Sequence, residues 1–158
     1  MGLRQLGSRW LPLALMVAVL SVEGGCTQWT LPNDRDELTR LMGSDDLAVR
    51  SAAAKKLAAV YGKDALLAAL ADANPKTRSE AALQLQGFTD ADVQQALVAA
   101  TRDSNPHVRY SAVVSLGRIG DQQVLEVIKE LQDDREAFVA DAATRALGNL
   151  QTRLGAKE

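Results

Sequence analysis

The sequence has 158 residues, a length that leaves room for one domain, and 47% of them are hydrophobic and 24% charged, as in a soluble globular protein. The formal net charge is −2 and Lys and Arg form no cluster, which argues against nucleic acid as a partner because duplex binding depends on clustered positive charge. Aromatic residues make up only 4%, so the core must come from small aliphatic contacts between closely packed helices.

The first 25 residues have the features of an export signal. Arg4 and Arg9 supply positive charge, and an apolar run follows over residues 11–22. A helix needs about 20 apolar residues to cross a bilayer, and Glu23 ends this run well short of that length. The sequence therefore predicts a signal peptide at residues 1–25, with an uncleaved membrane anchor as the alternative.

The only cysteine, Cys26, follows directly after two glycines. This stretch resembles the bacterial lipoprotein signal, in which small residues precede a cysteine that is lipidated on its thiol and becomes the mature N-terminus. Gly24 and Gly25 match that pattern, whereas Glu23 stands where an aliphatic residue is usual. Lipidation would give the unpaired thiol a role in an oxidising compartment. The alternative is an ordinary secretory signal followed by an incidental free thiol.

The resemblance implies a protein held at the bacterial cell envelope by a lipid such as palmitate on Cys26. Thr27, in place of Asp after the cysteine, favours the outer membrane with the domain facing the periplasm; a soluble periplasmic or secreted protein is the alternative. Residues 26–33 would form a tether of at most about 25 Å, keeping the domain close to the bilayer. Within it, Trp29 would rest at the headgroup level or pack on the first helix.

One pattern recurs through the rest of the chain. Its clearest copy runs from Asp103 to Gly117 and reads D-S-N-P-H-V-R-Y-S-A-V-V-S-L-G. The position of Val108 in this copy recurs at offsets of 28, 31 and 31 residues, and such self-similarity is typical of a solenoid. The four copies contain Val49, Arg50, Ala53 and Leu57; Thr77, Arg78, Ala81 and Leu85; Val108, Arg109, Ala112 and Leu116; and Val139, Ala140, Ala143 and Leu147.

A second helical pattern lies between successive copies. Its apolar positions, spaced as on one face of a helix, are Val93, Ala96, Leu97 and Ala100, and then Val124, Val127, Ile128 and Leu131. Each unit is therefore predicted to be a pair of helices. Residues typical of helix starts and ends occur at matching positions. Asn74-Pro75 and Asn105-Pro106 stand at predicted helix starts, and Asp90 and Asp121 are predicted caps. Gly87, Gly117 and Gly120 lie near predicted helix ends.

These signals predict an all-α fold, an α-solenoid of about four helix pairs over residues 34–150, followed by a polar tail at 151–158. The predicted elements are a capping helix at 34–42, the pairs 46–60 with 63–71, 75–87 with 90–101 and 106–118 with 121–131, and a final helix at 135–150. The first unit is three residues shorter than the others, and the loss falls either at residues 61–63 or in the turn before Pro75. No strand pattern competes.

The pattern D-x-x-P-x-V-R-x-x-A-x-x-x-L-G, at a period near 31, resembles the short HEAT-like repeats also found in phycobilin lyases and deoxyhypusine hydroxylase. The resemblance covers about residues 44–150. It implies the fold and leaves the function open, because functional sites are added to folds rather than implied by them.

Few residues are candidates for chemistry. Arg50, Arg78 and Arg109 recur at one position, and we expect each to pair with an Asp of a neighbouring unit; a stripe that binds an anionic ligand is the alternative. His107 is the only histidine and is expected to be exposed in a turn, and one histidine does not make a metal site. The acidic pairs Asp45-Asp46 and Asp133-Asp134 are expected to cap helices rather than to bind calcium.

We expect no catalytic residue, metal site or cofactor. The serines lack a base partner, no glycine-rich phosphate loop is present, and the His-Glu pairs of the hydroxylase have no counterpart, so its activity is not expected. The sequence favours a monomeric, non-catalytic scaffold that binds an unidentified protein. The alternative is a lyase-like or chaperone-like accessory that presents a cofactor to a partner protein.

The second helices of such solenoids tend to line the concave side. Their polar residues are therefore the predicted partner-binding positions, with a plain hydrated helix face as the alternative: Gln94, Gln95, Gln122, Gln123, Glu126 and Lys129. The absence of aromatic residues along this face disfavours a cofactor, since a flat conjugated ligand would need rings to stack on.

Overall fold

The structure, a computed structural model, describes residues 31–155; the predicted signal peptide, Cys26 and residues 156–158 lie outside them. Within 31–155 it contains seven α-helices and no strand. They are α1 (Arg35–Leu41), α2 (Leu47–Ala69), α3 (Pro75–Gln84), α4 (Ala91–Ala100), α5 (Pro106–Ile119), α6 (Leu125–Glu130) and α7 (Ala137–Gly155), with short 3₁₀ turns at Leu85–Gly87, Gln122–Val124 and Leu131–Asp133.

The helices form stacked pairs, and the predicted all-α solenoid is confirmed. We number the units along the chain: α2 is unit 1, α3 and α4 are unit 2, α5 and α6 are unit 3, and α7 begins unit 4. The fourth unit contributes only this first helix, and α1 packs on α2 at the other end. The first helices of successive units pack directly against one another, α3 on α5 and α5 on α7.

Unit 1 is short because its two helices meet without a loop. The range of α2 comprises two helices that meet at a kink at Gly62, which has φ +70° and ψ −164°, outside the helical region. Only glycine adopts this conformation readily, because it has no Cβ. The segments 47–61 and 63–69 therefore correspond to the first and second helix of other units. The three missing residues fall here and not in the turn before Pro75.

The predicted helix starts are confirmed where asparagine precedes proline. The amide of Lys76 donates to Asn74 Oδ1 at 3.0 Å, and the amide of His107 donates to Asn105 Oδ1 at 2.9 Å. Proline takes the first helical position, where no amide hydrogen is needed.

The two predicted aspartate caps differ. Asp121 accepts from the amide of Gln123 at 2.9 Å, as expected. Asp90 precedes α4 but makes no capping hydrogen bond with its side chain, so this prediction is wrong. Its carboxylate accepts instead from the ammonium group of Lys63 at 2.7 Å, and Lys63 also reaches Asp92 at 3.0 Å. The Asp90 carboxylate is thus used in the ion pair with Lys63 and not to cap the amides at the start of α4.

The core consists of the repeated alanine and leucine positions. The four repeat alanines, Ala53, Ala81, Ala112 and Ala143, are fully buried. Of the corresponding leucines, Leu57, Leu85 and Leu116 are also fully buried, whereas Leu147 is half-buried. Leu147 is less covered because no further helix of the described chain stacks on the outer side of α7.

Small side chains bring the first helices close together. The hydroxyl of Ser115 on α5 donates to the carbonyl of Ala82 on α3 at 2.7 Å, which requires the two backbones to approach closely. Gly117 lies two residues before the end of α5, near the helix end as predicted, but its backbone is helical and not left-handed. A Cβ at this position would lie 2.8 Å from the Cβ of Ala146 on α7. The missing side chain of Gly117 therefore sets the spacing of α5 and α7.

The last helix is longer than predicted. It continues to Gly155, beyond the expected end near Leu150, so residues 151–155 of the predicted polar tail are helical. The guanidinium group of Arg153 donates to the carbonyl of Gly120, which fixes the end of α7 against unit 3. Among the described helices, none has both the length and the apolar composition needed to cross a bilayer.

Gly117 and Gly148 provide a matched test of this packing. Gly148→Ala should stabilise the protein by about 0.5–1 kcal/mol through helix propensity, because nothing lies within 4 Å of the new Cβ. Gly117→Ala should lower the free energy of unfolding by about 1–3 kcal/mol, because α5 and α7 must separate. Urea unfolding measures both. Equal stabilisation by the two substitutions would contradict the close approach.

Candidate functional site

Two of the repeated arginines join neighbouring units through paired hydrogen bonds. Arg78 Nε and Nη2 donate to the two carboxylate oxygens of Asp103 at 2.8 and 2.9 Å. Arg109 makes the same pair of bonds to Asp134, both at 2.8 Å. This two-pronged geometry matches the planar guanidinium to the carboxylate. We call the pairs Arg78–Asp103 and Arg109–Asp134 the arginine ladder.

Each ladder arginine also binds the turn of its own unit. Nη1 of Arg78 donates to the carbonyls of Asp72 and Ala73 at 2.9 and 3.0 Å. Nη1 of Arg109 donates to those of Asp103 and Ser104 at 3.0 and 3.3 Å. One guanidinium thus fixes two successive turns relative to each other.

The ladder carboxylates are ionised over a wide pH range. The hydrogen bonds from Arg78 lower the pKa of Asp103, although burial opposes this effect. Arg109 lowers the pKa of Asp134 in the same way. Both pairs are largely buried, and the side chains of Arg109 and Asp134 are only 6% and 7% exposed. The repeated arginines 78 and 109 therefore serve stacking, as predicted, and are not available for an anionic ligand.

The expected pairing of Arg50 is not formed. Its Nη1 donates to the carbonyls of Ser44 and Asp45 at 2.9 and 3.2 Å, as in the other units. No carboxylate of the described chain lies within ion-pair distance of Arg50, however, and Asp72, at the position of Asp103, also has no ion pair. The interface between units 1 and 2 therefore lacks the ladder contact. The prediction is confirmed for two arginines and wrong for Arg50.

The other polar candidates have structural partners. Asp46 caps α2, accepting from the amides of Ala48 and Val49 at 2.8 and 3.3 Å. Asp45 pairs with Lys76 across the interface of units 1 and 2. In residues 31–155, no group of three or more His, Cys, Asp or Glu side chains is arranged to hold a metal ion.

His107 belongs to a small aromatic cluster rather than to a free turn. It is exposed, as expected, but it lies in the first turn of α5 and its ring stacks on Phe138 with centroids 5.3 Å apart. The ring of Tyr110 is tilted against the same Phe138 at 5.8 Å. This cluster joins the starts of α5 and α7, because His107 and Phe138 are one repeat apart.

The six predicted partner-binding residues lie on the second helices and the turn before α6. Gln95 is exposed, and Gln94 is half-buried. Glu126 and Lys129 form an exposed ion pair at 2.6 Å within α6. Gln122 and Gln123 are exposed in the 3₁₀ turn. Their role in binding stays a prediction, and Cys26 lies outside the described residues.

A shallow apolar depression lies between the second helix of unit 1 and that of unit 2. Its volume is about 310 Å³, and we call it the second-helix groove. It is lined by Leu67, Leu70, Ala71, Ala96, Ala99, Ala100 and Asp103. The alanines of α4 are too small to fill the space towards Leu67 and Leu70.

This groove is not among the features predicted from the sequence, in which Ala96 and Ala100 belong to the apolar face of a second helix. A run of alanines at 96, 99 and 100 was the available signal, because small side chains on neighbouring helices leave a gap unless the backbones approach.

Comparisons with known proteins agree with this architecture. A family model described as HEAT repeats matches residues 63–148, more than half of the chain. Human deoxyhypusine hydroxylase, solved in complex with glycerol, is 26% identical with a TM-score of 0.60; the match covers 75% of this chain and 43% of that one. This chain thus spans less than half the length of the hydroxylase. No curated protein matches the sequence.

Arg109 and Arg50 provide a matched test of the ladder. Arg109→Met should lower the free energy of unfolding by about 3–5 kcal/mol, because it leaves the buried Asp134 carboxylate without its partner. Arg50→Met should cost only about 1–2 kcal/mol, because it removes two hydrogen bonds to carbonyls and no ion pair. Urea unfolding of both variants measures the difference. Equal losses would contradict the open interface between units 1 and 2.

Proposed function

Because the chain belongs to the HEAT repeat family, we propose that it is a non-catalytic protein-interaction scaffold, anchored at the bacterial cell envelope through a lipid on Cys26. The second-helix groove is the observation that carries this proposal. It offers an apolar surface on the face that the sequence analysis assigned to a partner, and the exposed Gln95 lies on the same helix. An apolar groove bordered by polar side chains is a common protein-binding surface.

The use of the polar residues also supports a scaffold. Arg78 and Arg109 are committed to the ladder, and the one histidine of the chain, His107, stacks on Phe138. The similar hydroxylase is an enzyme, but we do not extend its activity to this chain, because activity depends on the site and not on the fold.

The accessory that presents a cofactor is the weaker proposal. The residues that line the second-helix groove include no aromatic side chain, and a flat conjugated ligand gains much of its binding energy from stacking on rings. Stoichiometric uptake of a pigment by the purified protein would reverse this ranking.

The proposed anchor places the domain near the bilayer. The hydroxyl of Tyr61 donates to the carbonyl of Asn33 at 2.6 Å, which holds the start of the described domain beside the break in α2. Six residues lie between Cys26 and Asn33, and this stretch spans at most about 25 Å. The outer membrane is favoured by Thr27, and the domain would face the periplasm as a monomer. The exposed residues of α7 include the polar Asp141, Arg145 and Asn149 as well as Phe138, which is 37% exposed.

The anchor is tested at Cys26. The intact mass of the exported protein should show a lipid on a mature N-terminus at residue 26, and Cys26→Ser should move the protein from the membrane to the soluble fraction. Ser8→Ala, which leaves the cysteine in place, is the control. An unmodified mature protein that begins elsewhere, or a Cys26→Ser protein that stays in the membrane fraction, would refute the anchor.

The scaffold role is tested by cross-linked capture from envelope extract. Ala99→Glu places a charge on the exposed rim of the second-helix groove and should reduce recovery of the partner at least tenfold, because the charge would be desolvated on binding. The variant with Gln94, Gln95 and Gln122 all changed to Glu tests the predicted polar positions separately. Asn149→Glu, on the exposed face of α7, is the control. Undiminished capture by Ala99→Glu would exclude the groove.

A further inference from the structure

A second depression lies between α1 and the turn that precedes α3. Its volume is about 330 Å³, and we call it the α1 pocket. It is lined by Asp36, Thr39 and Arg40 from α1, and by Asp72, Asn74 and Thr77 from the turn and α3. It lies at the interface of units 1 and 2, where the arginine ladder is open.

Asp72 supplies an available carboxylate to this pocket. Its Oδ1 accepts from the amide of Asn74 at 2.7 Å, just as Asp103 accepts from the amide of Asn105 at 2.8 Å. Asp103 additionally holds the guanidinium of Arg78, whereas Asp72 has no ion pair. The turn therefore presents Asp72 as the other turn presents Asp103, but Arg50, the arginine at the corresponding repeat position, forms no ion pair with it.

The remaining charges of the α1 pocket leave it acidic. Asp36 is exposed and makes no hydrogen bond or ion pair within the described chain. Arg40 is neutralised by Glu37, to which its Nε donates at 2.8 Å and its Nη2 at 2.5 Å. Asp72 also interacts electrostatically with Arg78, but the ion pair of that arginine is made with Asp103. The carboxylates of Asp36 and Asp72 thus outnumber the one lining cation, which favours a positively charged occupant.

Thr77 is the independent observation that points to a ligand. Its side chain lines the pocket and the residue is only 2% exposed, yet its hydroxyl has no hydrogen-bond partner among residues 31–155. The hydroxyl is not fully buried, because it keeps some accessible surface at the pocket, so it is open to hydrogen bonding by an occupant. A donor that enters the α1 pocket meets both the Thr77 side chain and the Asp72 carboxylate, because both line it.

We propose that the α1 pocket receives an arginine side chain of the partner protein. The inference rests on the scaffold role proposed above and names the chemistry of the partner. A guanidinium has five donors in a rigid plane, which suits a carboxylate and a nearby hydroxyl better than the point charge of an ammonium group. The chain itself uses this pairing twice, at Asp103 and Asp134.

The pocket is tested by nuclear magnetic resonance on the full-length protein in detergent micelles. N-acetyl-arginine amide should shift the amide signals of Asp36, Asp72, Asn74 and Thr77 in a saturable way. N-acetyl-citrulline amide has the same shape without the charge and should bind at least tenfold more weakly. Equal shifts with the two compounds would overturn the proposal.

Two variants connect the shifts to the pocket. Asp72→Asn keeps an acceptor for the amide of Asn74, so the turn should stay folded, but it should weaken arginine amide binding at least tenfold. Thr77→Val should weaken it by a smaller factor. Asp141→Asn, which removes an exposed carboxylate from α7, should bind as the parent protein does. Unchanged binding by Asp72→Asn would overturn the proposal.

The capture experiment decides whether the occupant of the α1 pocket is an arginine side chain of the partner protein or a free guanidinium compound. Asp72→Asn should reduce cross-linking to the envelope partner, as Ala99→Glu does. If Asp72→Asn loses arginine amide but captures the partner fully, the pocket binds a free guanidinium compound and the partner assignment is wrong. If the parent protein binds arginine amide but captures no partner, the scaffold role fails and the pocket chemistry stands.

Discussion

The arginine ladder is the contact on which the stacking of the units depends. Each ladder guanidinium binds the carbonyls of its own turn and the carboxylate of the next one, so the position of Asp103 relative to Arg78 fixes the rotation between units 2 and 3. The apolar surfaces of these helices are rich in alanine and would fit in several registers. A buried ion pair adds little net stability over an apolar contact, but breaking it is costly, so it selects one register.

The close packing of the first helices follows from that fixed register. Ser115 reaches the carbonyl of Ala82, and Gly117 faces Ala146, only if the helices have the correct offset along their axes. Small side chains bring α3, α5 and α7 together in this row. The second helices carry alanine at positions where neighbouring pairs do not touch, and the second-helix groove results. Small side chains thus give tight packing between the first helices and an open groove between the second helices.

The sequence predicted what repeats and missed what departs from the repeat. The helix pairs, the Asn-Pro starts and the Arg–Asp contacts of units 2 and 3 follow from local rules applied at a regular spacing. The role of Gly117 was missed, because a glycine that permits close approach of two helices and one that ends a helix look alike in a sequence. Asp90 was assigned as a cap because Lys63, its partner, lies 27 residues away. Arg50 lacks its ion pair with Asp72 because of the distance between two turns, and the spacing of repeats along the sequence does not predict that distance.

The departures from regularity occur together at the interface of units 1 and 2. The shortened connection at Gly62, the unpaired Arg50 and Asp72, the second-helix groove and the α1 pocket all belong to this interface. In a repeat protein the regular polar residues are used to join neighbours, so they are not free to bind anything else. A carboxylate that keeps the geometry of the ladder but loses its arginine can hold another cation without any rearrangement. If the proposed scaffold role holds, its specificity is expected at the interface of units 1 and 2, the one of the three described interfaces without a ladder contact.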